Sequence, residues 1–267
     1  MKQTLLILFF LSALYGCKNN SHLKNGDEII LDGPIEEIQK SEITDKNEVH
    51  IHPIEHASMV LNWDGTIIYV DPVGGRDAYM KYDKPDLVLI THIHGDHLDL
   101  PTLESVVTGN TRIISPNSVY DRLPESLQKQ VEILNNGDIS KKLEITIEAF
   151  PMYNLGEEAL QRHPKGKGNG YVLEKNNKRL YISGDTEDTP EMRNLKNIDI
   201  ALVCMNLPYT MPVEKAAEAV LEFKPKKVYP YHYRGEGGLS DVANFKSIIE
   251  ANNPEIEVVQ LDWYPNN

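Results

Sequence analysis

The chain has 267 residues, with 27 Lys plus Arg against 40 Asp plus Glu, giving a formal charge of −13. That length fits one large domain or two small ones, and 40% hydrophobic residues suffice for a sizeable core. An acidic surface repels phosphate backbones; this argues against a nuclease gripping long nucleic acid, but allows a small anionic substrate in a local basic pocket.

Residues 1–17 read as an export signal. Lys2 supplies a positive start, and Thr4 to Leu14 is apolar but too short to span a bilayer comfortably. Leu14-Tyr15-Gly16-Cys17 resembles a bacterial lipobox, where the signal is cut before a cysteine that then carries lipid. Tyr15 stands where a small residue is usual, and a plain secretory peptide or an uncleaved short anchor is the alternative. The expectation is a protein exported to the bacterial cell envelope, touching the membrane only through lipid on Cys17. Residues 18–47 are polar and charged and read as a tether, with a solvated His22 and a short strand at Ile29-Ile30-Leu31 as an option. The domain proper is expected over 48–267.

Strand-like and helical runs then alternate. Ser58–Trp63 and Thr66–Val70 flank Asp64-Gly65, a strong hairpin signal, and His50 and His52 fall on an earlier strand. Leu87–Thr91 is a buried strand, followed by a helix from Pro101 through Val107, a short strand over 112–115 and a helical stretch through Gln130. Ile145–Phe150 alternates as a half-buried strand does. Gly170–Glu174 and Arg179–Ser183 bracket a turn at Asn176-Asn177-Lys178. The apolar run Ile200–Met205 contains Cys204, read as a buried structural thiol; with one cysteine left in the mature domain, no internal disulfide can form. Val213–Phe223 has helical spacing with Pro212 suited to a first turn, a strand passes through Val228-Tyr229, and a helix over Asp241–Ala251 carries the stripe Val242, Phe245, Ile248 and Ile249. Early hairpins and later strand–helix alternation predict two face-to-face sheets with helices outside, although periodicity alone leaves several α/β layouts open.

The densest chemistry is Thr91-His92-Ile93-His94-Gly95-Asp96-His97, directly after the buried strand. Imidazole nitrogen and carboxylate oxygen suit zinc and its first-row neighbours. His92 and His94, two apart, point the same way on an extended chain and can share one ion. Gly95 permits a sharp turn that sends Asp96 and His97 toward a second. Asp71, Asp185 and His232 also stand just past apolar strands, so one rim of a sandwich would collect all of these groups if the strands run side by side.

The run His92-Ile93-His94-Gly95-Asp96-His97 resembles the signature of the metallo-β-lactamase superfamily. Residues 49–267 are similar to its stand-alone hydrolases of the ascorbate-6-phosphate lactonase group. The resemblance implies an α/β fold, the four-layer αββα sandwich of the metallo-β-lactamase type, and two divalent metal ions, zinc by preference with manganese or iron as substitutes. It implies one ion on His92, His94 and His163, another on Asp96, His97 and His232, and Asp185 bridging them. His163 has a spacing ahead of Asp185 like that of the third family histidine, and no other histidine lies between His97 and Asp185. His56 resembles a family position beside the site, and Asp71 is expected to orient a ligand histidine. The implied reaction is hydrolysis by metal-activated water, with Asp96 steering the water or taking its proton. Lys165, Lys167 and Arg234 are candidates to hold an anionic group, with solvated loop charge as the alternative, and Asn206, Tyr209 and Thr210 are candidates to line the pocket. The expected substrate is a small ester or lactone, amide or phosphodiester. An exported relative would not meet the cytoplasmic lactone, so that activity is not carried over. A tethered metal-binding or sensory protein without turnover is the alternative; retention of Asp96, His97 and Asp185 favours the enzyme.

Overall fold

The computed structural model describes residues 47–265, so the expected signal, Cys17 lipidation site and nearly all of the tether lie outside the described residues. Among the described residues no helix is long and apolar enough to cross a membrane.

The first sheet has the order β1 (Val49–Glu55), β2 (Ser58–Trp63), β3 (Thr66–Val70), β4 (Leu87–Leu89), β5 (Arg112–Ser115) and β6 (Val131–Ile133). Its first two pairings are antiparallel and the next three parallel. Between these parallel strands run α1 (Leu100–Val106) and two short helices, α2 (Asn117–Tyr120) and α3 (Glu125–Gln128). Pro124 precedes α3, so the helical stretch expected through Gln130 is divided. Asp99 caps α1, its carboxylate accepting from the Thr102 amide at 2.8 Å.

The second sheet repeats this plan. It contains β7 (Ile139–Lys142), β8 (Ile145–Met152), β9 (Gly168–Lys175), β10 (Lys178–Ile182), β11 (Ile200–Cys204), β12 (Lys227–Tyr231) and β15 (Glu257–Val258), and its order reads outward from β7 to β15 in that sequence. Three antiparallel pairings give way to three parallel ones. Helices α4 (Pro190–Arg193), α5 (Val213–Phe223) and α6 (Val242–Asn252) intervene between its parallel strands, and a two-stranded ribbon joins β13 (Arg234-Gly235) to β14 (Gly238-Leu239). Pro212 sits at the cap position, one residue ahead of α5.

Side-chain alternation fixes the layers. Leu87 and Leu89 of β4 enter the larger apolar core with residues of the second sheet, while Val88 and, just past the strand, Ile90 pack with Leu103, Val106, Val119 and Leu127 of α1–α3. The larger core also takes Ala216, Val220 and Phe223 from α5 and Phe245 and Ile249 from α6. The layers are therefore helix, sheet, sheet, helix: the expected αββα sandwich.

Two hairpins use the turns expected of them. Asp64 and Gly65 have φ of 49° and 76°, and Asn176 and Asn177 have 51° and 60°, the left-handed pair that matches strand twist. Lys178 already belongs to β10.

Parallel strands place their C-terminal ends on one side. That edge receives Asp71 after β3, Thr91–His97 after β4, Asp185 after β10, Asn206 after β11 and His232 after β12. The antiparallel partners add the β1–β2 turn at His56, because Met59 pairs with Val70, and the connection over 153–167, because Met152 pairs with Gly168.

Candidate metal centre

Six histidines and three aspartates meet at this edge. His92, His94 and His163 form one group of potential metal donors, His56, Asp96 and His232 a second, and His92, His97 and Asp185 a third. Asp185 lies among them. Its Oδ2 is 3.4 Å from His163 Nε2 and 4.0 Å from His92 Nε2, whereas its Oδ1 is 3.1 Å from His232 Nε2 and 3.3 Å from His97 Nε2. Asp96 Oδ2 is 3.5 Å from His232 Nε2 and 3.3 Å from His56 Nε2.

The rear of the cluster sets which ring nitrogens face inward. Buried Asp71 accepts from the Thr91 amide and hydroxyl, both at 2.7 Å, and from His97 Nδ1, also at 2.7 Å. The Thr91 hydroxyl has spent its one proton on Asp71, so it accepts from His92 Nδ1 at 2.9 Å. Asn154 Oδ1 accepts from His163 Nδ1 at 3.2 Å. Rings so held aim Nε2 at the centre, where the neutral form of each would offer a lone pair to a cation. The buried His163 Nε2 and Asp185 Oδ1 have no hydrogen-bond partner. His97 Nε2 faces His232 Nε2 at 3.0 Å, and His92 Nε2 faces His94 Nδ1 at 2.9 Å. Converging lone pairs with orphaned buried acceptors fit divalent cations, and the N/O donor set suits zinc, manganese or iron. His56, Asp71 and His232 have φ of 53°, 44° and 47°; left-handed backbone at non-glycine residues of one site is strain held by its surroundings.

Charge is distributed unevenly. Burial, reinforced by neighbouring imidazoles, pushes His92 and His94 below the usual histidine range. Burial opposes charge on His97 too, but the carboxylates of Asp185 and Asp71 outweigh it and hold the imidazolium well above that range. His232 is likewise raised against burial by Asp185 and Asp96. Burial would raise Asp185, but the charges of His232 and His97 hold its carboxyl well below the usual range. A cation entering the centre must therefore displace protons from His97 and His232. Below their raised pKa values those protons compete, so metal affinity rises with pH. Calorimetric zinc titration near about pH 7 in two buffers of different ionisation heat is expected to show net proton release, and a buffer-independent heat would contradict it.

A family model described as the beta-lactamase superfamily domain matches residues 50–232. The chain belongs to the metallo-β-lactamase superfamily. A UPF0173 metal-dependent hydrolase from Nanoarchaeum equitans is 30% identical over 195 residues, 70% of this chain and 88% of that one. Among solved structures, a candidate metal-dependent hydrolase from Parabacteroides distasonis is 38% identical, with a TM-score of 0.71, covering 79% of this chain and 92% of that one. A metallo hydrolase from the archaeon Ignicoccus hospitalis is 25% identical, with a TM-score of 0.67 and coverage of 80% and 95%.

Within this superfamily domain the sequence-derived residues separate into two sets. His92, His94, Asp96, His97, His163, Asp185 and His232 all come together, and Asp71 grips His97 from behind. His94, Asp96, His163, Asp185, Asn206, Tyr209 and Arg234 share the walls of a cleft of about 570 Å³ with His56. Thr210 is buried behind the cleft, its hydroxyl donating to Asn206 Oδ1 at 2.6 Å. His56 stands nearer than expected. It belongs to the donor group of Asp96 and His232, its ring centroid is 3.9 Å from that of His232, and its Nδ1 lies 2.8 Å from the Tyr264 hydroxyl. Lys165, for which the sequence offered anion binding or solvated loop charge, does not line the cleft; it pairs with Glu191 at 2.7 Å while covering the Tyr153 ring. In a chain rich in carboxylates, a nearby glutamate captured this flexible ammonium. Lys167 lines a neighbouring pocket instead.

Sequence reasoning missed Thr91, Asn154, Arg162 and Tyr264. Thr91 carried a signal, since it sits between the strand and the motif. Tyr264 carried none, because only the fold brings the chain end to His56. Cys204 is buried as expected, and burial pushes its thiol up to about 12, which leaves it unreactive.

Proposed function

We propose that this metal-dependent hydrolase holds two divalent ions, zinc by preference, and cleaves a small ester or lactone, amide or phosphodiester. The observation carrying this reading is that donor groups lie on both sides of Asp185, one oxygen of which reaches toward His163 and the other toward His97 and His232. His92, His94 and His163 would hold one ion and Asp96, His97 and His232 the other, with His56 adjacent. Ions bound there lower the pKa of water and polarise the scissile group.

The protein's own groups supply the rest. Asp96 differs from Asp185 in keeping its side chain 43% exposed, so it faces the cleft and meets an entering water. Burial would raise its carboxyl, but His232 and His56 hold it well below the usual range, so the oxygen stays ionised and is an acceptor that orients that water. Asn154, Thr91 and Asp71 keep the imidazoles from rotating.

A metal-reconstituted screen over lactones, phosphodiesters and amides tests this, with Asp96→Ala as control. The variant is expected to keep its circular-dichroism spectrum while kcat falls by about 10²–10⁴-fold. Turnover within about threefold of the parent would remove Asp96 from the proposed role.

A further inference from the structure

The cleft has two chemically different arms. On the Asn206 side, Arg162 and Arg234 both line it. Each guanidinium rests on an aromatic face, Arg162 at 5.5 Å from the Tyr209 ring centre and Arg234 at 4.1 Å from that of Tyr264. Arg162 also donates to the Pro208 carbonyl. Among the described residues neither has a carboxylate at ion-pair distance, a state they share with Arg76, Arg112 and Arg122, so what sets them apart is that both line the cleft and both stack on an aromatic ring. Stacking orders these cations without neutralising them.

The other arm is a pocket of about 300 Å³ whose accessible wall is mostly apolar, with Ile93, Met152 and Pro164 contributing and Ser118, Gln161 and Lys167 at its border. Both arms include His94, His163 and Arg162, so the first donor group stands at their junction. Glycine makes the apolar floor possible: a Cβ on Gly168 would lie 2.2 Å from Met152 Cε, and one on Gly184 would lie 2.6 Å from its Sδ.

The geometry points to a short-chain anionic amphiphile as the substrate class. Its anionic group docks on Arg162 and Arg234, its apolar end enters the pocket of Ile93, Met152 and Pro164, and its scissile bond lies between them at the His94–His163 wall. This inference rests on reading the centre as hydrolytic, and it narrows the three bond types to substrates carrying both features. The size of the apolar pocket limits it to a short chain or a single ring. A neutral sugar derivative or a wholly polar anion would satisfy only one arm.

The test is binding, independent of turnover. Octanesulfonate, ethanesulfonate and octyl glucoside are titrated below micelle-forming concentrations into the zinc-loaded full-length protein. Octanesulfonate is expected to bind at least about tenfold more tightly than either of the others. Arg162→Gln with Arg234→Gln should weaken octanesulfonate by roughly tenfold, and Arg234→Gln alone, which leaves the lining of the apolar arm intact, should leave octyl glucoside unchanged. Ser118→Phe, placed to fill the apolar pocket, should bring octanesulfonate down to the level of ethanesulfonate; the single arginine variants serve if the double one misfolds. Equal affinity for the two sulfonates, or indifference to the arginine changes, overturns the inference. Metal content is measured on the same samples: full metal loading without octanesulfonate selectivity rejects only the substrate class, whereas absence of bound metal rejects the hydrolytic reading beneath it.

Discussion

Asp185→Asn is expected to reduce turnover by at least roughly 10³-fold and to lower metal retention at both donor groups. The side chain is buried, and its two oxygens face different histidines, Oδ2 toward His163 and Oδ1 toward His97 and His232. An amide of the same shape keeps one acceptor and turns the other position into a donor aimed at ring nitrogens or a cation. It also removes the charge that sustains the raised pKa of His97 and His232. Metal content after dialysis and kcat should fall together, with the secondary structure intact. Parental kcat with parental metal content would contradict a bridging role.

Asp71→Ala should have the largest effect on stability, because one buried carboxylate serves three donors: the Thr91 amide, the Thr91 hydroxyl and His97 Nδ1. Removing it strands these groups away from water and is expected to cost about 3–5 kcal/mol in chemical denaturation of the metal-free protein. His97 loses the support that fixes its orientation, so metal affinity falls as well. A loss under about 1 kcal/mol would mean that the Thr91–Asp71–His97 network is slack in solution.

These two residues show how much of the site could be seen in the sequence. Asp71 and Asp185 were visible because each follows an apolar strand, and parallel neighbours place strand ends on a common edge. Asp64-Gly65 and Asn176-Asn177 announced their hairpins through residues that tolerate left-handed φ. The β7–β8 hairpin announced nothing: Leu143 and Glu144 take φ of 50° and 65° without turn chemistry, so neither the turn nor β7 was legible. β6 and β15 are three and two residues long, too short for a period to register. The chemistry followed the same division. Donors grouped within one motif were legible, but His56, Arg162 and Tyr264 acquire their roles from neighbours distant in sequence. The Lys165 ion pair was not legible either, since nothing in its loop indicated Glu191 as the partner.

The central claim is that the donor groups around Asp185 hold a pair of ions. Zinc bound per chain at saturation, measured by elemental analysis after equilibrium dialysis, tests it most directly. The expected value is two for the parent protein, with a clear drop in Asp185→Asn. Saturation of the parent protein at a single ion, or metal content unaffected by the Asp185 change, would contradict the account.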